Sequence, residues 1–174
     1  MSERVRVLAH TAYRVFVSYI DKSRDYYAAQ GYECPYRWAH NDESPFAPLA
    51  KPLSESRLGI VTTALDGSIP DDVDADTLPL GSTYAATLDP IPERLYTRSL
   101  SWAKESTHTD DLDSYFPIHR LQELVAAGGL GSISPRFYGV PTEYGQRISR
   151  EVDAPQLLEL MNQDEVDVAL LVPL

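Results

Sequence analysis

The sequence predicts an α/β fold, a layered and mostly parallel sheet with flanking helices. Two continuous apolar runs carry this prediction, Leu58–Ala64 and Val166–Leu174. Such runs are typical of strands buried on both faces of a parallel sheet. A segment with helical spacing of its apolar residues, Thr107–Ser132, lies between them. We therefore expect the two runs to be parallel neighbours, or near neighbours, in one sheet.

Length and charge limit the classes of protein to consider. A chain of 174 residues can bury one sizeable core. Its net charge of −11 argues against nucleic acid and against an anionic membrane surface as partners. No apolar run could span a bilayer, and arginines interrupt the N-terminus where a signal peptide would be apolar. We therefore predict a cytoplasmic location.

The N-terminal region divides into a helix and a connector. Residues 8–29 show helical spacing, and Gly31 is expected to end this helix. Tyr26 and Tyr27 are expected in a core, and so are Leu49 and Leu53 of the proline-rich connector at 40–56. We assign residues 1–55 to a helix and connector packed on the core. Residues 56–174 are assigned to one compact α/β domain.

Shorter elements are predicted between and after the main ones. Ser82–Thr87 and Leu95–Trp102 have the pattern of strands, and Ile133–Val140 has that of a short strand with turns at its prolines and glycines. Residues 142–163 are predicted as two helical pieces broken at Pro155.

The central segment combines polar side chains with a helix. The polar residues come first: His108, Asp110, Asp111 and Asp113. Pro117 then falls in the first helical turn, where no backbone N–H is needed, and Gly128 and Gly129 are expected to end the helix. These acids can belong to a site, or they can merely solvate a loop and favour the helix start through its dipole.

A binding site is expected at the carboxyl edge of the sheet, where ligands of open α/β sheets lie. The first strand ends there. We expect five candidate side chains for substrate binding or proton relay to gather near Leu174: Thr62, Thr63, His108, Asp111 and Asp113.

A metal-dependent hydrolase is an alternative, because His108, Asp110, Asp111 and Asp113 offer oxygen ligands and one imidazole. Close sequence neighbours rarely all reach one metal ion, so no metal site is predicted. No cofactor is predicted either, since Gly59 and Gly67 form no nucleotide-binding fingerprint and no Walker lysine motif is present.

Three motifs resemble a known family. The strand RLGIVTTA, the central LDSYFPIHRLQELVAAGGLGSISP and the closing DEVDVALLVP resemble the selenoprotein B family of the glycine, sarcosine, betaine and D-proline reductases. The resemblance covers roughly residues 56–174, with the motifs in the family's order. YRWAH and PLAKPLSESR resemble shorter, non-fermentative members.

The resemblance implies a reaction. Such subunits cleave a C–N bond of an amino acid reductively, with a selenocysteine or cysteine nucleophile and thiols as electron donors. It places the nucleophile directly after the strand that ends at Leu174, so catalysis by these 174 residues alone is in doubt. We interpret the C-terminus as a strand at the end of the order, or as a fragment that stops at a selenocysteine codon. Cys34 lies outside the matched motifs and is not expected to be the nucleophile.

Two functions therefore remain besides the metal hydrolase. One is a selenol- or thiol-dependent reductase subunit with an amine or amino-acid substrate and a thiol electron-donor protein. The other is a non-catalytic α/β binding or regulatory module, which the missing nucleophile favours. The oligomeric state stays open, although an uncovered last strand would favour pairing between copies.

Overall fold

The computed structural model describes residues 19–31, 42–43, 47–65, 83–97, 108–141 and 145–174. The chain divides into two compact units, Met1–Pro45 and Phe46–Leu174. In the first, the described residues form helix α1 (Tyr19–Ala29), and Gly31 follows with φ at +87°, which confirms it as the helix end. Tyr26 and Tyr27 are 62% and 50% exposed, so their predicted core position is wrong. The predicted start of α1 and Cys34 lie outside the described residues.

The second unit contains a sheet of five strands, and its topology confirms the α/β prediction. The strands are β1 (Arg57–Thr62), β2 (Tyr84–Thr87), β3 (Ser132–Ile133), β4 (Arg136–Gly139) and β5 (Val168–Val172). β1 pairs in parallel with β3, β4 and β5, while β2 is antiparallel to β4. The expectation that the two apolar runs are parallel neighbours is therefore confirmed.

The register places β1 at the centre of this sheet. β5 pairs with it from Leu58↔Val168 to Thr62↔Val172. Because β5 covers that whole edge, β3 and β4 must share the other one, with β3 at the start of β1 and β4 at its end. The predicted strand Ile133–Val140 is thus interrupted at Pro135.

One face of the sheet holds the hydrophobic core. Leu58 and Ile60 of β1 and Phe137 of β4 pack there against helix α2 (Ile118–Ala126). The rings of Phe116 and Phe137 meet edge to face, with centroids 5.2 Å apart. Further buried members of this core are Ala64, Leu95, Leu112, Ile118, Leu121 and Leu130. Burial of these side chains is the main favourable term that holds α2 to the sheet.

Helix α2 begins and ends as the sequence predicts. Pro117 occupies the position before its first residue, and Gly128 follows its end with φ at +75°. The N–H of Gly128 bonds to the carbonyl of Val125, and that of Gly129 bonds to the carbonyl of Leu124, which is a Schellman motif.

Helices also lie on the opposite face. α3 (Gln146–Ile148) runs through a π-helix (Ser149–Asp153) into α4 (Ala154–Gln163). Pro155 lies in the first turn of α4, so the predicted break is instead a local widening of one continuous helix. A proline lacks the N–H that would bond back into this turn, which accounts for the π-helix before it. Within the described residues, no helix combines the length and apolar character needed to cross a membrane.

Two expectations need correction. β5 lies at an edge and is not buried on both faces: Leu171 is 68% exposed. Leu49 and Leu53 are 45% and 39% exposed, so the connector does not bury them. Most of the predicted strand Leu95–Trp102 is untested, since residues 98–102 lie outside the described residues. Its described part forms an isolated bridge between Tyr96 and Leu65.

Gly131, in the loop after α2, lies very close to the backbone that precedes β1, and a substitution can test this approach. A methyl group on its Cα would lie 2.7 Å from the backbone carbon of Glu55 and 2.8 Å from the backbone oxygen of Ser56. We expect Gly131→Ala to lower the free energy of unfolding by about 1–3 kcal/mol in urea titrations, because backbone atoms must shift. Gly128→Asn is the control: its site is open, and asparagine tolerates positive φ at a cost of about 1 kcal/mol or less. Equal losses in the two variants would contradict the close approach.

Candidate functional site

The two threonines at the end of β1 have different environments. Thr62 is 1% exposed, and its Oγ1 accepts the N–H of Ala64 at 3.1 Å. Its hydroxyl thus stabilises the turn that leaves β1 and is not presented to a ligand. Thr63 is half-buried and points its hydroxyl toward the last residue of the chain.

Thr63 joins the carboxyl ends of β1 and β5. Its Oγ1 accepts the N–H of Leu174 at 2.9 Å and donates to the backbone oxygen of Leu174 at 3.1 Å. The side chain therefore occupies the place of a backbone partner and extends the pairing of the two strands. We call the side of the sheet on which β1 and β5 end the carboxyl edge; the backbone at Leu174 is held there.

Two tyrosines connect other segments to the carboxyl edge. The hydroxyl of Tyr84 donates to the carbonyl of Ala64 at 2.6 Å. Leu65 and Tyr96 exchange two backbone hydrogen bonds, and the hydroxyl of Tyr115 accepts the N–H of neighbouring Leu95 at 3.0 Å. Burial raises the pKa of Tyr115, against the effect of that hydrogen bond.

Tyr115 also holds the acidic segment, which contains His108, Asp110 and Asp111. The Tyr115 hydroxyl lies 3.3 Å from the carbonyl oxygen of Thr109, between His108 and the acids. Asp110 and Asp111 are exposed, and the carboxylate of Asp111 forms no cap on the short 3-10 turn that follows. His108 Nδ1 is 3.6 Å from Asp110 Oδ2, in a pair whose side chains are 72% and 73% exposed. Such a pair contributes little to stability.

Asp113 is engaged at the start of α2. Its Oδ1 accepts the backbone N–H of His119 at 3.0 Å, and its Oδ2 lies 2.8 Å from Nδ1 of the same residue. Pro117 has no capping side chain, so this carboxylate from upstream satisfies an unpaired N–H of the first turn. Asp113 is thus a cap, which the sequence allowed as the alternative to a ligand.

The predicted polar residues therefore do not form one cluster. The pairs are His108 with Asp110 and Asp113 with His119, while Asp111 faces solvent. Among the described residues, no group of three or more His, Cys, Asp or Glu side chains could hold a metal ion. In this part of the chain the geometry does not support the metal-dependent hydrolase.

A polar network that the sequence did not reveal lies at the other end of the sheet. Tyr138 is fully buried and donates its O–H to Asp164 Oδ2 at 2.6 Å, while the Ser134 hydroxyl lies 2.8 Å from the Tyr138 oxygen. Arg136 Nε donates to the same carboxylate oxygen at 2.7 Å, and Arg57 donates to the backbone carbonyl of Asp164, also at 2.7 Å. The network joins β1, β4 and the turn before β5.

The network shifts the ionisation of its members. Burial, followed by the hydrogen bond to Asp164, raises the pKa of Tyr138 to about 12. Burial opposes ionisation of Asp164, but the hydrogen bonds from Arg136 and Tyr138 outweigh it and lower its pKa. The pKa of Asp167 is lowered because its carboxylate accepts a hydrogen bond from the N–H of Arg57 and forms an ion pair with Lys51. The carboxylates are therefore ionised and the phenol neutral at pH 7.

Comparison with known proteins adds no family assignment. No family model, no curated protein and no solved structure shows significant similarity to this chain. The resemblance to the selenoprotein B family therefore stays a prediction from the three motifs.

The shifted pKa of Tyr138 predicts a loss of stability at alkaline pH. A folded pKa of about 12 lies above the unfolded value near 10, so the stabilisation is present below pH 10 and lost as pH rises toward 12. We expect the free energy of unfolding to fall by roughly 2 kcal/mol over that range in chemical denaturation series. Tyr138→Phe should cost about 1–2 kcal/mol at pH 7 and reduce the alkaline slope.

The exposed Tyr26 provides the control, since Tyr26→Phe should leave both the stability and its alkaline slope unchanged. If Tyr138→Phe loses as much stability at alkaline pH as the wild type does, ionisation of Tyr138 is not the cause of that loss.

Proposed function

We propose that this chain is the scaffold of a selenol- or thiol-dependent reductase subunit that acts on a C–N bond of an amino acid or related amine. The observation that carries the proposal is the pair of hydrogen bonds between the hydroxyl of Thr63 and the backbone of Leu174. They hold the end of β5 beside the end of β1, where ligands of open α/β sheets bind. A nucleophile directly after Leu174 would therefore stand at the carboxyl edge.

The resemblance supplies the chemistry for that position. In the selenoprotein B family a chalcogenolate follows the strand that corresponds to β5. The sulfur or selenium anion attacks the substrate, and a thiol electron-donor protein regenerates it. A reducing cytoplasm is the compartment in which such thiols persist. No resident cofactor enters this proposal.

The exposed acids fit a cationic substrate. Asp110 and Asp111 lie on a segment that the Tyr115 hydroxyl joins to the chain leaving β1. Carboxylates attract a protonated amine, and the net charge of −11 extends the attraction over a longer range. Thr63 orients the edge in this account, whereas Thr62 stabilises the buried turn.

A non-catalytic binding module is the second candidate, and one observation favours it. Leu171 on β5 and Leu158 on α4 are 68% and 58% exposed, and exposed apolar side chains can mark a contact with another protein. This candidate needs no nucleophile after Leu174.

Expression of the complete gene product tests the reductase proposal. We expect the codons after Leu174 to encode selenocysteine or cysteine at once. The purified product should then release the amine of glycine, sarcosine or betaine, or open the ring of D-proline, with dithiothreitol as the reductant. Thr63→Val should lower the rate roughly tenfold, because the edge loses its anchor to the Leu174 backbone.

Thr63→Ser is the matched control: it keeps the hydroxyl and should keep most of the rate. A reading frame that encodes neither a thiol nor a selenol within a few residues would refute the proposal, and so would a complete product that cleaves none of these C–N bonds. Either result favours the binding module.

A further inference from the structure

We propose that Asp113 and His119 form a proton-transfer pair in which Nε2 of His119 is the atom that accepts and returns the proton. The catalytic part of this inference rests on the proposed reductase function. The geometry of the pair does not depend on that function, and the two can be tested separately.

One carboxylate binds both the backbone and the imidazole ring of His119. Asp113 Oδ1 accepts the backbone N–H of His119 at 3.0 Å, and Oδ2 lies 2.8 Å from ring Nδ1. An ionised carboxylate can only accept hydrogen bonds, so Nδ1 must carry the proton. A neutral His119 therefore has its lone pair on Nε2. This is the tautomer and orientation that a general base requires.

The pair is shielded on one side and open on the other. The side chain of Asp113 is 22% exposed and that of His119 is 50% exposed. Nε2 of His119 has no hydrogen-bond partner among the described residues. The carboxylate is thus protected from solvent, while the accepting nitrogen remains accessible to a ligand.

A second histidine–aspartate pair lacks this geometry and this shielding. His108 and Asp110 are 3.6 Å apart, and both side chains are more than 70% exposed. In the described part of the chain, no carboxylate binds both the ring and the backbone N–H of His108. The two histidines thus offer an internal comparison within one molecule.

Capping alone does not account for the arrangement at Asp113. The helix start needs an acceptor for its N–H groups, and Oδ1 supplies it without any help from the ring. The contact of Oδ2 with Nδ1 adds nothing to the cap, but it fixes the tautomer. After α2 ends at Ala126, the chain reaches Gly131 beside the residues that precede β1, so the start of α2 lies toward the carboxyl edge.

In the proposed reaction, Nε2 of His119 first accepts a proton and later donates it. The proton of the attacking thiol or selenol moves to Nε2, and its electron pair stays on sulfur or selenium. That atom then forms the bond to carbon as the C–N bond breaks. The C–N electron pair leaves with nitrogen, which takes the proton back from Nε2. The pair is regenerated. Two thiols of the donor later reduce the carbon–chalcogen adduct: they are oxidised to a disulfide, the carbon–chalcogen bond breaks, the carbon takes up a hydrogen, and the free thiol or selenol is restored.

Nitrogen NMR on the 174-residue chain tests the pair without any turnover. In the neutral ring, we expect His119 to show a protonated Nδ1 and an unprotonated Nε2. Asp113→Asn should reverse this, because the amide oxygen keeps the helix N–H and the NH₂ group faces the ring. The reversal should slow carbethoxylation of His119 by diethyl pyrocarbonate roughly tenfold, while His108 keeps its rate.

In the complete product, His119→Gln should lower kcat at least tenfold with a smaller change in KM. A wild-type His119 that is protonated at Nε2 overturns the pair and leaves only a cap. So does an Asp113→Asn variant in which His119 stays protonated at Nδ1. Turnover that survives His119→Gln overturns the proton-transfer role but spares the reductase. A confirmed tautomer in a product without turnover supports the pair and refutes the reductase.

Discussion

The parallel pairing of β1 with β5 is the interaction on which the described fold depends. It brings together two segments more than a hundred positions apart and leaves the other edge of β1 to β3 and β4. Gly59 makes this possible at one point, since a Cβ there would lie 3.0 Å from the ring of Tyr138 and 3.1 Å from Val166. Close contacts on both sides of one strand make β1 sensitive to substitution along its length.

The two ends of the sheet are held by different chemistry. At the amino end, charged groups pair with one another: Arg57 with Glu165, Arg136 with Asp164, and Lys51 with Asp167. At the carboxyl edge, neutral hydroxyls bond to backbone atoms, as Thr63 does to Leu174. The charged end fixes the turn into β5, whereas the Thr63 hydroxyl fixes the end of β5 at the carboxyl edge.

The predictable features are those that depend on local pattern. The run Leu58–Ala64 identifies β1, and glycine at 128 identifies the end of α2. The exposure of β5 was not predictable, because VALLV is apolar at every position and only the strand order shows which face is open. The bond between Tyr138 and Asp164 spans 26 residues with no periodic signal. The capping role of Asp113 could have been predicted, because Pro117 provides no cap and the start of α2 needs an upstream acceptor.

Backbone NMR on the purified chain tests the pairing of β1 with β5 most directly. The account predicts nuclear Overhauser effects between Ile60 and Leu170 in the register found here, and slow hydrogen exchange at the Leu174 amide bonded to Thr63. A one-residue slip would exchange the core face of β5 for its open face. Contacts of Ile60 with Leu171 in place of Leu170, or a Leu174 amide that exchanges as fast as an unfolded chain, would contradict the account.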